Sequence, residues 1–116
     1  MNYDLEERAA KFGEDVIEFV GKINRSEINR PLVNQIVRSA TSVGANYMEA
    51  NEASSKKDFR NKIRICRKES NETKHWLRMI AKANPEKNLE CRKLWKESHE
   101  LTLIFAKIVK SCSIAK

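Results

Sequence analysis

The stretch "FRNKIRICRKESNETKHWLRMI", residues 59–80, decides how the chain folds. Phe59, Ile63, Cys66, Ser70, Thr73, Leu77 and Ile80 recur at alternating steps of three and four, the spacing that aligns apolar or small side chains along one seam of an α-helix. Just upstream, Ser55 followed three residues later by Asp58 resembles a capping box with the shorter acid and marks the start of that helix.

Three further stripes follow the same rule. They are Leu5, Ala9, Phe12, Val16, Phe19, Ile23; then Leu32, Ile36, Ser39, Val43, Asn46, Ala50, Ala53; then Cys91, Leu94, Ser98, Leu101, Phe105, Ile108, Cys112, Ala115. Pro31 suits the opening turn of the second helix, and Asn84 or Asn88 is expected to cap the fourth. The connections "NRSEINR", "NEASS" and "NPEKN" are short, which makes consecutive helices antiparallel. The expected fold is all-α, an up-down-up-down antiparallel four-helix bundle forming one domain over residues 1–116. Gly44 costs the second helix about 1 kcal/mol against Ala, and its usual justification is a close helix contact. Ser39, Asn46, Ser70 and Thr73 form a polar layer within the stripes, and each requires a hydrogen-bond partner.

Cys66, Cys91 and Cys112 are odd in number, have no C-x-x-C spacing and sit in core stripes, so packing is their expected role. With a start, "MNYDLEERAA", that lacks a signal-peptide pattern, they point to the cytoplasm. The most apolar run, "LTLIFAKIV", falls far short of the ~20 residues that span a bilayer, so no membrane partner is expected. Glu72 and His75 have the i, i+3 spacing of di-iron bundles, but such bundles need two Glu-x-x-His pairs plus two further Glu. Glu97 and His99, two apart, diverge and cannot be the second pair. There is no Gly-rich phosphate loop and no nucleophile with a base at recognisable spacing. A non-enzymatic protein with no metal or cofactor is expected.

The chain carries 23 Lys and Arg against 16 Asp and Glu, and the resulting +7 favours an acidic partner such as nucleic acid. The excess is localised: six basic and nine acidic residues in 1–54, ten and three in 55–84, seven and four in 85–116. Arg60, Arg64, Arg67, Lys74, Arg78 and Lys82 share one face of the third helix and are the candidate nucleic-acid contacts. The competing possibility is a solvated face balanced by Glu6, Glu14 and Glu18 of helix one. The stripe itself lacks the interleaved aromatics that stack on single-stranded bases. Val37, Tyr47, Ile65, Trp76 and Met79 exceed one narrow seam and are the candidate homo-oligomer interface.

Residues 30–80 closely resemble a bacterial four-helix-bundle family of proteins encoded in intervening sequences of large-subunit ribosomal RNA, relatives of the accessory variability protein Avd of diversity-generating retroelements. The matches are "SATSVGAN" leading to Asn46 and Glu49, "SKKDF" at 55–59 and "KESNETKHWL" at 68–77. The resemblance implies a basic bundle that assembles as a homopentamer, binds RNA or DNA without strong sequence preference and, in Avd, also partners a reverse transcriptase. It brings no catalytic residues. The chain departs from the family in "NYMEANEAS", where many members have "NIAEG" and a glycine-arginine turn. Two functional classes stay open, a nucleic-acid binder and an oligomeric protein-protein scaffold whose basic face meets an acidic partner.

Overall fold

A computed structural model describes the backbone over residues 2–114 and the side chains over residues 4–112. Four helices follow in order: α1 (Asn2–Val20), α2 (Asn29–Asn51), α3 (Lys56–Ala83) and α4 (Asn88–Ile114), with a 3-10 turn at Pro85–Lys87 before α4. They form a rod of 48 × 21 × 19 Å.

Among the described residues the longest helix is α3, and its seam is the one read from residues 59–80. Ile63, Cys66, Ser70, Thr73, Leu77 and Ile80 are buried, and Phe59 is half-buried against them. Ser55, with extended backbone, caps the helix by accepting the Asp58 N–H at 3.0 Å. At the other end the Asn84 N–H donates to the Ile80 carbonyl at 2.8 Å.

Cross-helix pairs give the topology. Between α2 and α3 they run Asn29–Asn84, Ser39–Thr73, Val43–Cys66 and Glu49–Lys62, numbers rising on one helix as they fall on the other. Arg8 meets Glu97, and Lys22 meets Glu90, so α4 runs antiparallel to α1 and closes the bundle. Each helix lies against its two neighbours; α1 and α3 are diagonal, with no Cα pair within 8 Å among the described residues. This is an up-down-up-down four-helix bundle.

Phe12, Val16, Ile36, Val43, Leu101 and Phe105 fill the centre, each at most 1 % exposed and each contributing about 1.5–3 kcal/mol by leaving water. α1 ends at Val20, yet Ile23 stays buried because its N–H turns back to the Val20 carbonyl at 3.1 Å. Gly44 lies against α1: a Cβ there would stand 3.4 Å from Cα and N of Ala10, the close helix contact its sequence position suggested. Of the stripe residues, Ala115 lies outside the described residues.

The polar layer is hydrogen-bonded through. Ser39 Oγ lies 2.8 Å from Thr73 Oγ1, which donates to the Glu69 carbonyl, and Ser98 Oγ donates to the Ser70 carbonyl at 2.6 Å. Asn46 departs from this layer: it is only half-buried, and its amide donates to the Ser42 carbonyl within α2. The expected Asn84 cap on α4 is also corrected. The Asn84 and Asn29 amides exchange two 2.9 Å hydrogen bonds, and each amide gives its second N–H to a backbone carbonyl, Ile80 and Asn24 respectively. Both side chains are buried, so this pair pins the start of α2 to the end of α3.

Candidate nucleic-acid interface

α3 is flanked by α2 on one side and α4 on the other, and the two flanks differ in charge. Toward α2, Arg38 Nη1 donates to Glu69 at 3.2 Å and Nη2 to Glu72, while the Trp76 indole N–H donates to Glu72 at 3.0 Å. Lys62 reaches Glu49 of α2 at 2.7 Å. Every charge on that flank named here has an opposite partner.

Of the six predicted cations, Arg60, Lys74 and Arg78 stand beside α4, near Cys112, His99 and Trp95, and Arg64 and Arg67 follow them along the same side of α3 at helical spacing, whereas Lys82 lines a cavity with Ile28 and Leu32 at the α2 end. Arg64, Arg67, Arg78 and Lys82 are exposed, and Arg60 and Lys74 half-buried. None of the six enters an ion pair among the described residues. Arg60 Nε is buried with no hydrogen-bond partner among them. Lys74 Nζ lies 3.0 Å from His99 Nδ1 of α4, a neutral partner while the ring is unprotonated. The carboxylates of α4 are drawn to its opposite side: Glu97 and Glu100 bind Arg8, and Glu90 meets Lys22 and Lys87. The hydrogen bonds that Arg8 donates to Glu97 and Glu100 hold its guanidinium firmly protonated. Helix one does not balance the stripe, because α1 is diagonal to α3. Its Glu6 accepts the Asn51 amide at 3.0 Å, and Glu14 and Glu18 act on Lys11 of their own helix.

α4 adds two features that reading along α3 missed. Arg92 lines the same cavity as Arg78, which extends the basic face onto α4. Trp95 supplies an aromatic: it is 41 % exposed, the His99 ring lies nearly parallel to it (15°, centroids 5.1 Å apart), and Lys74 Nζ stands 5.1 Å from its centroid. The signal was present in "RKLWKESH", residues 92–99, where Trp95 follows Arg92 by three and precedes His99 by four. What the sequence lacks is the register of α4 against α3.

The expected oligomer interface needs one correction. Tyr47 is 1 % exposed and tilts against Phe105 across the core, ring centroids 6.0 Å apart, so it packs inside the protomer. Val37, Ile65, Trp76 and Met79 are half-buried, with Val37 and Trp76 packed against the core. The exposed large apolar side chains lie elsewhere, at Ile17, Ile28, Met48, Leu89, Trp95 and Leu103. Of the Glu-x-x-His pair, Glu72 is engaged by Arg38 and Trp76, and His75 is exposed with its ring edge-on to Trp76. Cys66 and Cys91 are buried thiols, which burial pushes up to about 12 and about 11. Among the described residues no helix is long and apolar enough to cross a membrane.

Fold and surface together define a small four-helix bundle whose basic α3/α4 face has no ion pair between the two helices among the described residues. The chain belongs to the 23S rRNA-intervening sequence protein family, whose model matches residues 1–107. Among solved structures it is similar to a protein of unknown function of the S23 ribosomal protein family from Bacteroides thetaiotaomicron, with 27% sequence identity and a TM-score of 0.82. That match covers 94% of this chain and 97% of the other. No curated protein matches the chain.

Proposed function

We propose that the protein is a non-enzymatic nucleic-acid-binding bundle that grips the sugar-phosphate backbone along the α3/α4 face. The observation that carries this reading is the absence of ion pairing at Arg60, Arg64, Arg67, Lys74, Arg78 and Lys82 among the described residues, while every described glutamate of α3 and α4 within salt-bridge reach of a cation is paired elsewhere. Cations left unpaired beside neutralised neighbours are available to phosphates at little desolvation cost. From Arg60 to Lys82 the stripe runs about 33 Å at 1.5 Å per residue, long enough for several phosphates. Side chains of this type position a backbone without reading bases, so binding extends across unrelated sequences. The family description, which ties these proteins to intervening sequences of 23S rRNA, makes RNA the first ligand to test.

Assembly belongs to the same reading. Val37, Ile65, Trp76 and Met79 on the α2/α3 flank are the proposed contacts of a homo-oligomer, with a pentamer the form implied by the family resemblance. A ring would present several basic faces to one strand and raise its affinity by multivalency. Light scattering should then give a mass several times 13.5 kDa. A protein purified without nuclease should carry nucleic acid. With six contacts, binding to single strands should fall with a log-log salt slope of about −4. Absence of any binding at low salt would leave the scaffold reading, in which the same face meets an acidic protein or a reverse transcriptase.

A further inference from the structure

Resting on that reading, we infer that the α3/α4 face selects single strands, because a cavity beside Trp95 receives one unpaired nucleobase.

The cavity has a volume of about 220 Å³ and is lined by Leu77, Arg78 and Ala81 of α3 and by Asn88, Cys91, Arg92 and Trp95 of α4. Its charged residues are two arginines, and neither enters an ion pair among the described residues. Leu77 and Cys91 give it a buried apolar floor. Trp95 stacks parallel on His99 and at 41 % exposure keeps ring surface for a second partner. Asn88, exposed at the start of α4, brings an amide that both donates and accepts, as the edge of a base requires. Arg78 and Arg92 stand at the same cavity, where the phosphates on either side of an inserted base would pass. A base paired in a duplex is stacked on both faces and cannot enter; an unpaired base loses little by doing so. Apolar floor, aromatic wall, amide and two cations together match a nucleotide.

The test compares Trp95→Ala, Trp95→Phe and the Arg64→Ala/Arg67→Ala pair on a short oligouridylate RNA and a short blunt RNA duplex at equal salt. Trp95→Ala should weaken binding of the single strand about 5- to 150-fold, leave the duplex within about twofold, and leave both salt slopes unchanged. Trp95→Phe should recover most of the loss. The single strand should quench the part of the indole emission that Trp95→Phe removes, and the duplex should not. An equal loss on both ligands, no loss on either, or unchanged emission at saturating single strand overturns the cavity proposal. The arginine pair separates the two readings: if its slopes shrink on both ligands while Trp95→Ala changes nothing, the basic face stands and the base cavity falls. If wild type binds neither ligand, the basic-face reading itself fails.

Discussion

The two flanks of α3 have the same helix beneath them and opposite electrostatic fates. Toward α2, Arg38 is placed between Glu69 and Glu72, and Lys62 faces Glu49, so charge serves to fix one helix against the next. Toward α4, Arg60, Arg64, Arg67, Lys74 and Arg78 meet a helix whose carboxylates are taken by Arg8, Lys22 and Lys87. Both flanks have hydroxyl contacts, Ser39 to Thr73 on the α2 side and Ser98 and Thr102 to Ser70 on the α4 side, but the α2 flank alone adds ion pairs among the described residues. The difference teaches that ion pairs hold α3 to α2, whereas among the described residues none holds α3 to α4.

The largest expected effect removes what both flanks share. Phe105 is wholly buried against Tyr47, and Phe105→Ala should cost about 3–5 kcal/mol in a denaturant titration, loosening both flanks together. Next comes the settled flank alone. Asn84→Ala strips the buried Asn29 of its reciprocal partner and should cost about 1–3 kcal/mol. The comparison is sharpest between two arginines. Arg38→Ala leaves Glu69, 9 % exposed, without its cation and should cost about 1 kcal/mol after allowance for the half-exposed guanidinium. Arg64→Ala, on the other flank, should change stability by less than about 0.5 kcal/mol. Equal costs would mean that the flanks do not differ.

The smallest effect is nil at neutral pH. Burial raises the Cys66 thiol, whose Sγ lies 3.5 Å from the Val43 carbonyl, and the Cys91 thiol to about 12 and about 11. Unfolding exposes thiols that ionise from their ordinary value near about 8.5, so above that pH the unfolded state binds fewer protons and stability falls as pH rises. Cys66→Ser should flatten that alkaline loss, and alkylation of the native protein at neutral pH should spare both residues while reaching the half-buried Cys112.

The bundle was legible because its stripes hold a strict alternation of three and four, and because Ser55 and Asp58 sit where a cap must be. Tyr47 was misplaced for a physical reason. Val43 to Asn46 and Val43 to Tyr47 are equally good helical steps, and the larger, more apolar side chain took the interior, leaving Asn46 half out. Asn84 was misread because its sequence position suits a cap, whereas its actual partner, Asn29, lies 55 residues away. The basic stripe was visible on α3 alone. Its isolation from carboxylates and its company with Trp95 depend on which helix lies beside it and in what register, which no single-helix pattern contains.

The central claim is tested most directly by the salt dependence of binding in the Arg64→Ala/Arg67→Ala protein. Both side chains are exposed on α3, off the core seam, and Ala is the best helix former, so folding and assembly should be unchanged. Affinity should fall alike for unrelated sequences, and the log-log slope should lose about 1.4 to 1.8 in magnitude, two contacts at about 0.7 each on single strands or 0.9 each on duplex DNA. His75→Ala, exposed on the outer face of the same helix, should leave the slope as it was. A double variant that folds, assembles and binds nucleic acid with an unaltered slope would contradict the account.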